Sequence, residues 1–253
     1  MLENMLEWPN EKNSKSSLND IANKSVLTRR RLIGGLAGIA APVAVPASLA
    51  AGGSGGKVAR VPGVELRVGL NAYSFDRLLR SGQVSLLDLV DYCAEHEIQG
   101  LDATGYYMPG YPDPPSDEFI FELKRKAFVN GVQVYGTGIR NDFAVADPAA
   151  RGRDFELVRS WIPVAGKLGA GVIRIFSGRR LPPGHTFEQV LEWLLPLFRE
   201  CANWGRAHGV IIGLQHHNDF LTTAAQTIRV VEAVASQWFA VILDVGSLRK
   251  RDV

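Results

Sequence analysis

Leu66-Arg67-Val68-Gly69-Leu70-Asn71-Ala72-Tyr73-Ser74-Phe75 is the stretch on which the fold turns. Residues 66–73 read as a first β-strand, and the turn over 71–75 contains no glycine. A doubly wound nucleotide-binding sheet needs glycine at that turn so that the backbone can approach a pyrophosphate. A closed barrel makes no such demand. The turn therefore selects between two folds that share the same alternation of strand and helix.

That alternation continues downstream. Short apolar runs over 98–102, 132–137, 171–176, 210–215 and 239–244 predict five more strands, apolar throughout rather than alternating, as expected when helices cover both faces. Between them lie helical patterns. Residues 85–96 place Leu86, Leu89, Val90 and Cys93 on one face. Ser116 is placed to cap a helix to Asn130, with Gly131 where a left-handed residue is wanted. Asp147-Pro148 opens a helix to Leu168, and Thr186 opens one to His208. Pro163 and Pro196 are expected to bend or shorten these two. A last helix covers 222–235. The fold class is α/β, a (β/α)8 TIM barrel over residues 64–253. Six of its eight units are present, and the remaining two are expected beyond residue 253.

Ahead of the barrel the chain changes character. Residues 1–24 are polar and read as a disordered extension. Arg29-Arg30-Arg31 precedes an uncharged Gly- and Ala-rich stretch, and Ser48-Leu49-Ala50 offers small residues for cleavage. Residues 25–51 are thus expected to be a twin-arginine-type signal peptide, with export to the periplasm or the extracellular space. Pro42 and Pro46 argue against a membrane anchor, so no span is expected after cleavage. Residues 52–63, including Gly52-Gly53-Ser54-Gly55-Gly56, read as a linker. The whole chain of 253 residues carries a net charge of +2, all of it from residues 1–50. No basic face is left to bind nucleic acid. Cys93 and Cys201 read as buried free thiols. Homo-oligomerisation is left open.

Barrel active sites lie at the carboxyl ends of the strands. Polar residues collect there: Asn71 and Tyr73, then Asp102, Tyr106 and Tyr107, then Arg140, Asn141 and Asp142. Ser177 and Arg179 follow the fourth strand, Gln215, His217, Asn218 and Asp219 the fifth, and Asp244 and Ser247 the sixth. The strongest pair is Leu214-Gln215-His216-His217 with Leu243-Asp244, two apolar strands that each end on an oxygen donor. Neighbouring parallel strands would bring Gln215 and Asp244 into one mouth, where carboxylate, amide and imidazole suit one Mn²⁺, Mg²⁺ or Zn²⁺ ion. The loop over 105–116 holds three tyrosines and four prolines. It reads equally well as a lid stacking on a sugar and as a rigid loop packed on itself.

The opening Leu70-Asn71-Ala72-Tyr73-Ser74, the Gln215-His216-His217 run and Leu243-Asp244 together make the chain resemble the xylose-isomerase-like barrel family of sugar isomerases and epimerases. The resemblance implies a small carbohydrate substrate. It also implies one divalent ion held by a Glu ending strand five, an Asp ending strand six and two later ligands. Asp244 matches, and Gln215 stands where the Glu would be. His217 matches a histidine common after that Glu and is the expected catalytic residue. Asn71, Tyr73, Asp102, Tyr106, Tyr107, Asn141, Asp142, Asn218 and Ser247 are the expected substrate contacts.

Family chemistry removes a proton next to a carbonyl while the metal stabilises the enediolate. An amide takes no proton at neutral pH, so Gln215 argues against a two-base epimerisation. A one-base isomerisation remains, as does elimination from a 3-keto-glycoside. A non-catalytic carbohydrate-binding barrel is the reading from another class. A DNA-repair endonuclease would need more metal ligands than five histidines and a neutral barrel supply.

Overall fold

The computed structural model describes residues 67–217 and 220–247. The expected extension, signal peptide and linker lie outside them, as does Asn218.

The elements alternate as expected: β1 (Gly69–Asn71), α1 (Asp76–Arg80), α2 (Leu86–Glu95), β2 (Gly100–Asp102), α3 (Asp117–Val129), β3 (Gln133–Gly138), α4 (Pro148–Leu168), β4 (Val172–Phe176), α5 (Phe187–His208), β5 (Ile211–Gln215), α6 (Ala224–Val234) and β6 (Phe239–Ile242). All six strands are parallel and pair in sequence order, β1-β2-β3-β4-β5-β6. A doubly wound sheet reverses its order at a switch point, and none occurs here. Among the described residues, β1 and β6 each keep one unpaired edge. Beside β6 this leaves Val241, Leu243 and Val245 at 39%, 66% and 76% exposure.

Capping fixes the helix starts where the sequence placed them. Ser85 and Thr186 each form a reciprocal box, with Asp88 and Gln189 respectively. Ser116 and Asp147 accept from backbone amides of their first turns. Gly131 takes φ +73°, a value that costs glycine little. Pro163 and Pro196 lie inside α4 and α5 without shortening either.

Three boundaries differ from expectation. The first strand is only three residues long, and it ends where the Asn71 carboxamide accepts from the Tyr73 amide and turns the chain into a 3-10 helix, Ala72–Phe75. The sixth strand stops at Ile242, two residues before Asp244. The last helix runs only over Ala224–Val234, capped by Thr223, rather than over 222–235.

Apolar side chains between sheet and helices form one core, with Leu101, Ile173, Ile175, Ile212 and Leu214 of the strands packed beneath Leu89, Leu123, Trp161, Ile162 and Phe198 of the helices. Cys93 and Cys201 are buried and free. Among the described residues no helix is long and apolar enough to cross a membrane.

Candidate active site

A cavity of about 580 Å³ opens at the carboxyl ends of the strands. Asn71, Tyr73, Tyr106, Arg140, Asn141, Asp142, Arg174, Phe176, Gln215, His217 and Asp244 line it, with Ser74, Asp154, Gly178 and Arg179. Its two flanks differ in chemistry.

Strands β5 and β6 supply the acidic flank. The register pairs Gln215 with Ile242, so the loop after β6 carries Asp244 up beside it. Asp244 Oδ2 accepts from Gln215 Nε2 at 2.8 Å and Ser247 Oγ at 3.0 Å, and His217 Nδ1 lies 2.9 Å away. Asp244 Oδ1 accepts from the Gly246 amide. Partial burial alone would push the Asp244 carboxyl up. The hydrogen bonds from His217, Gln215, Ser247 and Gly246 outweigh it and hold the group at about 2. An ionised carboxylate only accepts, so Nδ1 of His217 carries the proton and Nε2 is the ring atom left to receive one.

Strands β2 to β4 supply the basic flank. Arg174 is charged yet lies in the middle of an apolar strand, 6% exposed, with Nη1 donating to the Ile139 carbonyl at 3.2 Å. Its guanidinium stands 4.5 Å from the Phe176 ring centre and 5.8 Å from that of Tyr106. Arg140 lies over the Tyr106 ring at 4.3 Å. The absence of a side chain at Gly138 makes room, since a Cβ there would lie 2.6 Å from Nε and Nη2 of Arg174. Below them Asp102 is buried, and that burial pushes its carboxyl up against the pull of Arg174 and the Thr104 hydroxyl. Asp142 and Asp154 close this flank. The Asp142 amide donates to Asp154 at 2.7 Å, and Arg179 pairs with Asp142 at 3.8 Å. Burial raises the Asp154 carboxyl, the Asp142 charge adds to this, and the amide bond opposes it.

Several expected substrate contacts have other duties. Asn141 reaches the cavity, but its amide clamps the end of β4, donating to the Phe176 carbonyl at 2.7 Å and accepting from its amide at 2.9 Å. Tyr107 does not line the cavity; its hydroxyl donates to Asp76 on α1. Ser247 is buried and hydrogen-bonded to Asp244, Asp102 is buried as well, and neither lines the cavity. Asn71 and Tyr73 do line the wall, as expected. The tyrosine loop packs on itself, as one of its two readings expected. Tyr111 packs on Trp161 and Tyr106 on both other tyrosines, while Tyr106 alone of the three faces the cavity.

Arg174, Phe176 and Asp154 were not foreseen. Arg174 carries a legible signal, a single charge inside Val172-Ile173-Arg174-Ile175-Phe176. Asp154 sits inside a helix and reaches the site only through the fold.

The sequence of residues 90–251 matches the model of the xylose isomerase-like TIM barrel. The chain belongs to that family. The six described strands are therefore an incomplete barrel of its type. Among solved structures, D-psicose 3-epimerase from Clostridium cellulolyticum H10, determined with D-tagatose, is 20% identical and superimposes with a TM-score of 0.60, covering 74% of this chain and 67% of that one. A probable 3-DHS dehydratase from Bacillus anthracis is 18% identical with a TM-score of 0.57, covering 72% and 64%. An IOLI protein with a bound zinc atom is 13% identical with a TM-score of 0.59, covering 73% and 64%. This chain thus spans less than two thirds of the length of several family structures it resembles. At these identities the family likeness is one of fold. No curated protein sequence matches.

Proposed function

We propose that the cavity is a sugar isomerase site that removes a proton next to a carbonyl, with His217 as the proton-transfer group. The observation that carries this reading is His217 Nδ1 held 2.9 Å from Asp244 Oδ2 at the edge of the cavity. Asp244 fixes the tautomer and orients the ring, so Nε2 takes the proton while the electron pair of the C–H bond moves toward the carbonyl oxygen. The hydroxyl proton of that carbon passes to the former carbonyl oxygen, and the His217 ring, its proton exchanged with solvent, protonates the neighbouring carbon, which completes an aldose–ketose interconversion with one base. Gln215 orients Asp244 and takes no part in proton transfer.

The donor set fits a divalent ion in kind. Asp244 offers a charged oxygen, and Gln215 offers a neutral one when its amide turns. Among the described residues no three His, Cys, Asp or Glu side chains converge; Asp244 and Gln215 are the two side chains that would hold the ion. A bound Mn²⁺, Mg²⁺ or Zn²⁺ would stabilise the enediolate oxygens.

Elimination, as in a 3-keto-glycoside lyase or dehydratase, is the second reading. Gln215 favours it, since elimination needs no second base. Incubating the protein with ketoses and aldoses in D₂O, and following the carbon next to the carbonyl by NMR, separates the two. Isomerisation gives a deuterated pair of sugars, whereas elimination gives an unsaturated product. His217→Asn is expected to abolish either reaction, and turnover that survives it would end the proposal. We also propose that the leader directs export, which an Arg29→Lys/Arg30→Lys variant retained in the cytoplasm would support.

A further inference from the structure

Buried Arg174, with exposed Arg140 beside it, poses a problem that isomerase chemistry does not answer. A buried guanidinium is retained where a partner offsets the loss of hydration. Among the described residues neither arginine forms an ion pair, although seven other Lys or Arg side chains do. Arg174 spends one donor on the Ile139 carbonyl and turns its face to Phe176. Its acidic neighbour, Asp102, lies within its electrostatic reach but forms no ion pair with it, and burial pushes that carboxyl up against the pull of Arg174. The two acids on the same wall are engaged, Asp142 by Arg179 and Asp154 by the Asp142 amide. Two guanidinium groups thus flank the Tyr106 ring beside the cavity with donors to spare.

We propose that Arg174 and Arg140 form an oxyanion subsite, and that the sugar handled in this cavity carries an acidic group, a carboxylate or a phosphate. A guanidinium fork matches either group through paired N–H donors. The Phe176 ring neighbours both Arg174, 4.5 Å from its centre, and His217, whose ring centre is 6.0 Å away. The anion would therefore be held on one flank while the reacting carbon lies at the other. This rests on the reading above for the chemistry at His217, but not for the binding itself.

Isothermal titration of the wild-type chain with D-fructose, D-glucuronate and D-fructose 6-phosphate tests it. Both acids are expected to bind at least about tenfold tighter than D-fructose, as charge-assisted hydrogen bonds allow. The tighter of the two distinguishes carboxylate from phosphate. Arg174→Gln and Arg140→Gln should each weaken binding of the acids far more than binding of D-fructose and so remove most of the preference, with Arg174→Lys retaining part of it. Circular dichroism reports folding, and exposed Arg140 serves if Arg174→Gln does not fold. Equal affinity for D-fructose and both acids in the wild type overturns the subsite, as does a preference that survives in the double variant. The two proposals fail separately. A protein that prefers acids yet exchanges no deuterium keeps the subsite and loses the isomerase reading, and one that exchanges deuterium into D-fructose without acid preference does the reverse.

Discussion

Gln215 donates its amide hydrogen to Asp244 across the β5–β6 boundary, 2.8 Å from nitrogen to oxygen. Replacing that donor by an acceptor changes the sign of the contact. In Gln215→Glu two carboxylates face each other, and the metal-free protein should lose about 1–2 kcal/mol. The same change supplies a second charged ligand, so Mn²⁺ affinity should rise at least about tenfold. Calorimetry with Mn²⁺ and thermal denaturation in chelator read the two effects. Unchanged Mn²⁺ affinity would show that position 215 does not ligate.

Asp244 gives a pH signature in chelator-treated protein. Its carboxyl is lowered from 3.8 to about 2 on folding. A lowered folded value stabilises above the unfolded one and is lost as pH falls through the folded one. The wild type should therefore lose about 2 kcal/mol relative to Asp244→Asn between pH 5 and 2, and nothing between pH 5 and 7. Urea denaturation of both proteins across that window measures the difference. Parallel curves would mean the hydrogen-bond cluster on Asp244 does not form.

Gly205 in α5 lies against the chain entering β5. An added Cβ would sit 2.4 Å from the Val210 carbonyl oxygen, which is backbone and cannot swing aside. Gly205→Ala should cost about 1–3 kcal/mol, against the usual gain for such a change in a helix. A midpoint in urea at or above that of the wild type would contradict the packing described.

Tyr111 anchors the loop that carries Tyr106. Its hydroxyl accepts from the Arg140 amide at 3.1 Å, and Trp161 beside it donates to the Pro112 carbonyl at 2.7 Å. Tyr111→Phe should cost about 1 kcal/mol. Trp161→Phe removes the second tie and also shrinks a fully buried ring, so it should cost more, about 2–3 kcal/mol. Thermal denaturation of the single and double variants tests whether the two ties act together, and additive losses would show that they act independently.

The alternation of strands and helices was legible because caps such as Ser85, Ser116 and Thr186 mark helix starts chemically. The acidic flank was legible for a related reason, since Gln215 and Asp244 interrupt apolar runs. Element ends were less so: nothing in Leu243 shows that pairing has already stopped at Ile242. Roles were the hardest to read. Asn141 and Tyr107 have the right chemistry at the right strand ends, and only three-dimensional placement shows their polar groups engaged by Phe176 and Asp76. Asp154 reaches the cavity from a helix and has no periodic signal.

Gly138 and Arg174 behave as a single site split between two strands, one residue yielding the volume that the other fills. Any side chain at 138 expels the guanidinium before it disturbs the sheet, because the clash falls on a flexible tip rather than on backbone. Drift at position 138 would thus retune what the cavity accepts without unfolding the protein. A redesign toward uncharged sugars should exchange bulk between 138 and 174 in one step rather than alter either alone.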